Sequence, residues 1–385
     1  MKFFKPVLVC IGLVFCSGTG TGQSAIEGFG LDWTPIITDS THIKRQLNQI
    51  YNLYPMPVVG AAVFRSDSLY AVVARGKNRF PMGETVTERN YFHLGSATQA
   101  ITAWIASRLV QKNVIQWDTP FFDVFPKLKR NALEAYHGIT LEQLLSHRAL
   151  LSPFATAAEF DLAHTIKGKG AKKQEKFARL ALSLEPMKSE RFSNAGPVLA
   201  VMMLEKRSGK TYEQLLKEIV GKELGLSYYI GFPHQKSPDE PWGHWFATDE
   251  DSVFTELGPR SGYRLPEVLD PAINLSMPFQ DYAFFVQFTL YGLQNKHSGY
   301  PKELFEKLCK GNMGWNSQVD GEITFIGNMG ISGFSTISAT IIPEMDLGIL
   351  LVSNTYGGPT PRVLQWLQER IFSKLLGTQP PPDIF

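Results

Sequence analysis

Residues 92–128 read FHLGSATQAITAWIASRLVQKNVIQWDTPFFDVFPKL, and the fold turns on how that stretch is parsed. Gly95-Ser96 stands ahead of an apolar run through Trp104, Ile105, Leu109 and Val110 that ends near Lys112, a pattern that predicts a long helix with Ser96 at its N-terminus. Unpaired backbone N–H groups and the positive end of the dipole gather there and stabilise developing negative charge. A serine in that place is either a helix cap or a nucleophile. Residues three apart share a helix face, so Gln99 lies one turn along, beneath the Ser96 hydroxyl. Its amide can hydrogen-bond but cannot take up a proton.

Upstream, Tyr91-Phe92-His93 predicts a strand running into this helix, and Thr41 to Tyr54 carries Ile43, Leu47, Ile50, Tyr51 and Tyr54 at helical spacing, with Ser40 or Thr41 as cap. Pro57 to Phe64 and Ser68 to Ala74, separated by Arg65-Ser66-Asp67, predict a β-hairpin. At the other end, Phe334 to Ile342 and Leu347 to Val352 predict strands around a turn at Pro343-Glu344-Met345-Asp346. Thr360 to Leu376 closes the chain with an amphipathic helix. Strands at both ends around a helical middle predict an α+β protein. Its antiparallel sheet draws on about 41–95 and 320–376, is flanked by terminal helices, and accepts a mainly helical insertion over about 96–319.

Within the insertion, Thr140 with Gln143 three residues on forms a capping-box pattern, and helices are expected from Gly196 to about Arg207 and from Lys210 to Val220. Ile166 to Lys176, with five lysines and two glycines, and Ser237 to Gly262 read as surface loops. The 385 residues, 44% of them hydrophobic, can bury one large core or two coupled ones. The 38 basic and 36 acidic residues nearly balance, which excludes an electrostatic case for nucleic acid.

Met1-Lys2-Phe3-Phe4-Lys5, an apolar run from Val7 to Cys16 and small or polar residues to Ser24 predict a secretory signal over residues 1–23 and a mature body over 24–385. The expectation is an exported protein, periplasmic, secreted or membrane-anchored. Cys16, followed by Ser-Gly-Thr-Gly-Thr-Gly, resembles a bacterial lipoprotein site, although Phe15 before it is bulky. With Cys309 then the one cysteine of the body, packing and not disulfides must hold the fold.

Four blocks in order resemble the β-lactamase-related serine hydrolases, which include class C β-lactamases, D-alanyl-D-alanine carboxypeptidases and related esterases. They are the 92–128 stretch, ITLEQLLSH (139–147), RFSNAG (191–196) and GNMGISGFSTISATIIPEMDLGILLVSNT (327–355), and the likeness extends from about Thr41 to Leu376. The resemblance implies a β-lactamase/transpeptidase-like fold and acyl transfer, in which Ser96 attacks a carbonyl and water releases the acyl-enzyme. It also implies an oxyanion hole from the Ser96 N–H and an N–H near Gly330, with Asn194 holding a substrate amide. The chain departs from the family where protons are handled. Gln99 stands at the lysine of the serine helix and Phe192 at the tyrosine of Tyr-x-Asn. At the terminal His or Lys position stands Gly327, with Met329 at the following glycine, or Asn328 one residue later. After His147 the family's Thr-Ser-Gly-Leu becomes Arg148-Ala149-Leu150-Leu151.

General-base assistance is worth on the order of 10² to 10⁴ in rate, so these replacements predict catalysis lost or severely weakened. The cleft then remains as a binding surface for a small peptide, an ester, a cell-wall fragment or a partner protein. The alternative is an active serine hydrolase of divergent mechanism, with His93, His147 or His244 as substitute base. Gln99 and Asn328 are ligand-binding amides or residues relaxed after loss of catalysis. Trp242 and Trp245 line a cleft or pack a loop. The Gly-x-Ser-x-Gly elbow is absent, since Leu94 and Thr98 replace its glycines. Nothing has metal-ligand spacing and no cofactor is expected.

Overall fold

The computed structural model describes residues 41–54, 56–246, 254–297 and 299–376. The expected signal segment, Cys16 and the Pro380–Pro382 tail lie outside the described residues. The strands among these are β1 (Val58–Phe64), β2 (Leu69–Gly76), β3 (Tyr91–His93), β4 (Tyr229–Ile230), β5 (Gly243–Phe246), β6 (Phe254–Leu257), β7 (Leu275–Pro278), β8 (Asn316–Asp320), β9 (Ile323–Ile331), β10 (Thr336–Ile342), β11 (Leu347–Ser353) and β12 (Thr355–Tyr356).

The main sheet runs β2-β1-β11-β10-β9-β8, antiparallel throughout, so strands from both ends of the chain meet at its centre. β1, Val-Val-Gly-Ala-Ala-Val-Phe, is buried along its whole length, which is why it reads as an unbroken apolar run and not as an alternation. Alternate residues serve opposite faces. Val59, Ala61 and Val63 pack with Ile43, Leu47 and Ile50 of the first helix (Thr41–Leu53) and with Val363, Trp366 and Leu367 of the last (Thr360–Leu376). Ala62 and Phe64 join the larger core of the helical side, with Trp104, Phe279 and Val286. Leu47, fully buried, contributes about 2 kcal/mol by leaving water. The two hairpins are also tied by Asp346, whose carboxylate accepts from Arg65 Nε (3.2 Å) and from the Ser66 N–H (3.0 Å).

The serine helix spans Thr98–Gln111 after a single 3-10 turn at Gly95–Ala97. Thr140 and Gln143 close the expected capping box from both sides, at 3.1 and 3.3 Å. The helix expected from Gly196 runs Ala195–Ser208. The helix expected from Lys210 starts at Tyr212, capped by Thr211, and widens into a π-type turn over Leu216–Glu223.

Three expectations are corrected. The lysine-rich stretch is in large part a helix, Gly170–Ala181, because Phe177, Ala178 and Ala181 bury one face just past the basic run. Within Ser237–Gly262, β5 and β6 pair with each other, and β12 lies parallel against β5. β3 does not enter the main sheet; it belongs to a small one of order β3-β7-β4 that packs beside the serine turn. Cys309 is buried and unpaired, so packing holds the described body together. No described helix is long and apolar enough to cross a membrane.

Candidate active site

Ser96 sits where the serine turn meets the free edge of β9. The approach is backbone against backbone. Gly95 is in the left-handed region (φ +54°), and a methyl group added there would lie 2.5 Å from the Ile331 carbonyl. One added at Gly330 would lie 1.8 Å from the Leu94 oxygen. Both positions therefore need glycine for contact, and Gly95 for conformation as well.

The β9 register decides which groups face the turn. Gly327 is paired with Asn316, the first residue of β8, so the edge beyond it is open. Ser332 N–H bonds to Ser335 O across the β10 side. In an antiparallel ladder successive residues turn their N–H and C=O to opposite sides. Asn328, Gly330 and Ser332 therefore turn toward β10, while Met329 and Ile331 turn toward Ser96. The Ser96 Oγ accordingly donates to Met329 O at 3.1 Å. This modifies the expectation at Gly330: its N–H is directed to Ile337, and the strand N–H beside Ser96 is that of Ile331.

The helix-cap reading of Ser96 fails, since the turn and the helix carry no side-chain cap bond and the hydroxyl reaches across to β9. Around it, the expected site residues separate into two groups. Gln99 and Asn194 come together: Gln99 Nε2 donates to Asn194 Oδ1 (3.0 Å), and Asn194 Nδ2 donates to Phe154 O (2.9 Å). Phe192 sets its ring against His147, centroids 5.0 Å apart. Asn328 is committed elsewhere; its oxygen accepts from the Tyr282 hydroxyl and its NH₂ donates to Gly314 O. Gly327 has no side chain and is spent on strand pairing. Burial raises the Tyr282 phenol far above its ordinary range, so it stays a neutral donor.

No imidazole hydrogen-bonds the Ser96 hydroxyl among the described residues. His93 bonds Asn274 and the Gly95 N–H. His147 Nδ1 accepts from the Ser193 N–H at 3.2 Å. His244 lies against Asn354 O at 3.3 Å. Burial holds all three imidazoles down at about 4, so they are neutral at pH 7. Trp242 packs a loop: its indole N–H donates to Pro238 O, and Arg79 lies over its ring at 5.6 Å. The described residues hold no group of acids, histidines or cysteines able to bind a metal.

Sequence reasoning missed Met329 and Ile331 as the residues that face Ser96, because only the strand register assigns their direction. It also missed Asn274, Asp270 and Tyr282. The i, i+4 spacing of Asp270 and Asn274 in Asp-Pro-Ala-Ile-Asn was the available signal.

A family model described as Beta-lactamase matches residues 50–373. Among curated proteins, the chain is 23% identical over 242 residues to unguisins hydrolase ungD of Aspergillus violaceofuscus, covering 59% of this chain and 41% of that protein. It is 24% identical over 296 residues to unguisins hydrolase ungD' of Aspergillus campestris, covering 70% and 53%. The chain thus spans about half the length of the curated relatives it matches. A solved β-lactamase from Sulfitobacter sp. EE-36 superposes with a TM-score of 0.69 at 17% identity, covering 88% of this chain and 99% of that one, which shows a shared fold.

Proposed function

Because this chain belongs to the beta-lactamase family, we propose that it is an exported member whose Ser96 cleft binds a small peptide, ester or cell-wall fragment, with acyl transfer lost or severely slowed. One observation carries this reading: the Ser96 hydroxyl donates to a backbone carbonyl, and the side chains at the proton-handling positions are a buried amide pair, a phenyl ring and a second committed amide. A peptide carbonyl is no base near neutral pH, so the serine stays a neutral alcohol and a poor nucleophile. What remains is positional. The Ser96 N–H at a helix start and the Ile331 N–H on an open strand edge suit a carbonyl oxygen, which supports binding of an acyl or peptide group without turnover.

A fluorescent penicillin and a fluorophosphonate probe test the reading. The expected result is no stoichiometric adduct at Ser96. A stoichiometric adduct abolished by Ser96→Ala would overturn it in favour of the second reading, an active serine hydrolase of divergent mechanism. That alternative is favoured by the retained Ser96 turn and by the two curated relatives being named hydrolases.

A further inference from the structure

A file of hydrogen bonds leads from the serine turn into the protein. Gly95 N–H donates to His93 Nδ1 (3.3 Å), His93 Nε2 meets Asn274 Oδ1 (3.1 Å), and Asn274 Nδ2 donates to Asp270 Oδ1 (2.7 Å). The first member fixes the direction of all the others. A backbone N–H can only donate, so Nδ1 is the bare nitrogen, and a neutral imidazole then carries its proton on Nε2. That proton needs an acceptor, so Asn274 presents its oxygen to His93 and its NH₂ to Asp270. The opposite amide orientation would set two donors against each other. His93 is 2% exposed and stacks on Phe232 at 4.4 Å, which leaves its ring no room to turn.

We propose that His93 is the positioning residue of the serine turn: in its neutral, Nε2-protonated form it holds the Leu94–Gly95 peptide, and thereby aims the Ser96 N–H at the Ile331 edge, and its protonation releases the turn. A proton on Nδ1 would face the Gly95 N–H donor to donor. Gly95 cannot absorb the repulsion by drifting, because it already lies against the Ile331 backbone. The strain must therefore pass to the junction of Ser96 with β9.

The charged and titratable groups bearing on the file come from several elements. His234, on the short helix Pro233–Lys236, faces His93 and is itself faced by Arg264. The far end, Asp270, is faced by Glu267, by Lys173 of the lysine-rich helix and by Glu213, and it bears in turn on the Tyr212 phenol. Burial keeps His93 down at about 4 and lifts Asp270 to about 7. The file is therefore intact near neutrality, tightens as Asp270 ionises, and gives way as the pH approaches 4.

Two measurements test this, and neither depends on an adduct at Ser96. NMR with ¹⁵N-labelled histidine should show one imidazole with bare Nδ1 and protonated Nε2, neutral down to pH 5 and missing from His93→Phe. Hydrogen exchange, corrected for its intrinsic pH dependence, should be at least tenfold faster at residues 94–97 in His93→Phe than in the wild type, with β11 unchanged. In the wild type, exchange at 94–97 should rise between pH 5 and 4. If His93→Phe does not fold, Asn274→Ala removes the Nε2 acceptor and the donor to Asp270 and should still show Nδ1 bare and Nε2 protonated, because the Gly95 N–H alone sets the tautomer. A proton on Nδ1 in the wild type or in Asn274→Ala, titration near 6.5, exchange at 94–97 in His93→Phe within twofold of wild type, or an equal acid rise at every amide would overturn the proposal.

Discussion

Gln99 Nε2 donates to Asn194 Oδ1 across 3.0 Å, with both side chains at most 3% exposed. The helix that starts at the serine turn is thus joined to the loop leading into Ala195–Ser208 by two neutral groups that satisfy each other, and the joint needs no proton to hold it. An amine at position 99 would meet the same Asn194 oxygen while keeping a lone pair for Ser96 when neutral.

Gln99→Lys with Phe192→Tyr is accordingly expected to speed labelling of Ser96 by a fluorophosphonate at least tenfold over wild type, well short of the roughly 10² to 10⁴ of an evolved general base. A buried ammonium at position 99 would meet the neutral Asn194 amide, and burial lowers its pKa, so the variant should also lose stability as the pH falls below the ordinary lysine range. Labelling followed by intact-mass spectrometry reads the first effect. A rate equal to wild type in a folded variant would count against proton handling as the missing element.

Ser96→Ala removes the donor to Met329 O and leaves that carbonyl short of a partner at a half-buried edge. The expected loss is about 1 kcal/mol of stability, measured as a shift in urea midpoint with unchanged slope. A neutral substitution would mean that water replaces the hydroxyl without cost.

Gly330→Ala sets a methyl group 1.8 Å from the Leu94 oxygen and 2.8 Å from Ala97 Cβ. Neither backbone nor helix start can yield there, so the variant should lose about 3 kcal/mol and the close seating of the serine turn. Denaturant unfolding gives the first, and proteolysis of the 92–98 region the second. An alanine at this place with wild-type stability would contradict the packing described.

Acid should destabilise the fold through its histidines. Burial holds His93, His147, His234 and His244 down at about 4, against 6.5 when unfolded. Between those values the unfolded chain binds more protons, so stability falls as the pH drops from 6.5 toward 4. Asp270 works the other way. Raised to about 7 from 3.8, it contributes stability that is lost as the pH rises through 7. Four imidazoles outweigh one carboxyl below pH 6.5, so the Tm by calorimetry should decline from pH 6.5 to 4. A flat or rising Tm over that interval would refute the assignment.

Local signals carried much of this architecture. The first hairpin, the closing helix and the Thr140 capping box each lie within a dozen or so residues of the groups that define them, and periodicity reads at that range. The helix at Gly170–Ala181 escaped because its apolar face lies at Phe177, Ala178 and Ala181, beyond the lysines that dominate the window. β5 and β6 escaped because each is four residues long and is held by partners set by the tertiary fold. At the site, Ser96, Gln99 and Asn194 were legible from spacing and resemblance. The direction of Met329, Ile331 and Asn328 was not, since a shift of one residue in a strand reverses every group and only the pairing with β8 and β10 settles it.

The tie between chain ends also sets a timetable. Val59 pairs with Ser353 and Phe64 with Gly348, so β1 can find β2 early but waits for its other neighbour until residues 348–353 have been made. A ribosome-bound nascent chain carries that apolar ribbon half-clad, open to aggregation and to holdase chaperones. Closure of the sheet is a late, long-range event that slows folding.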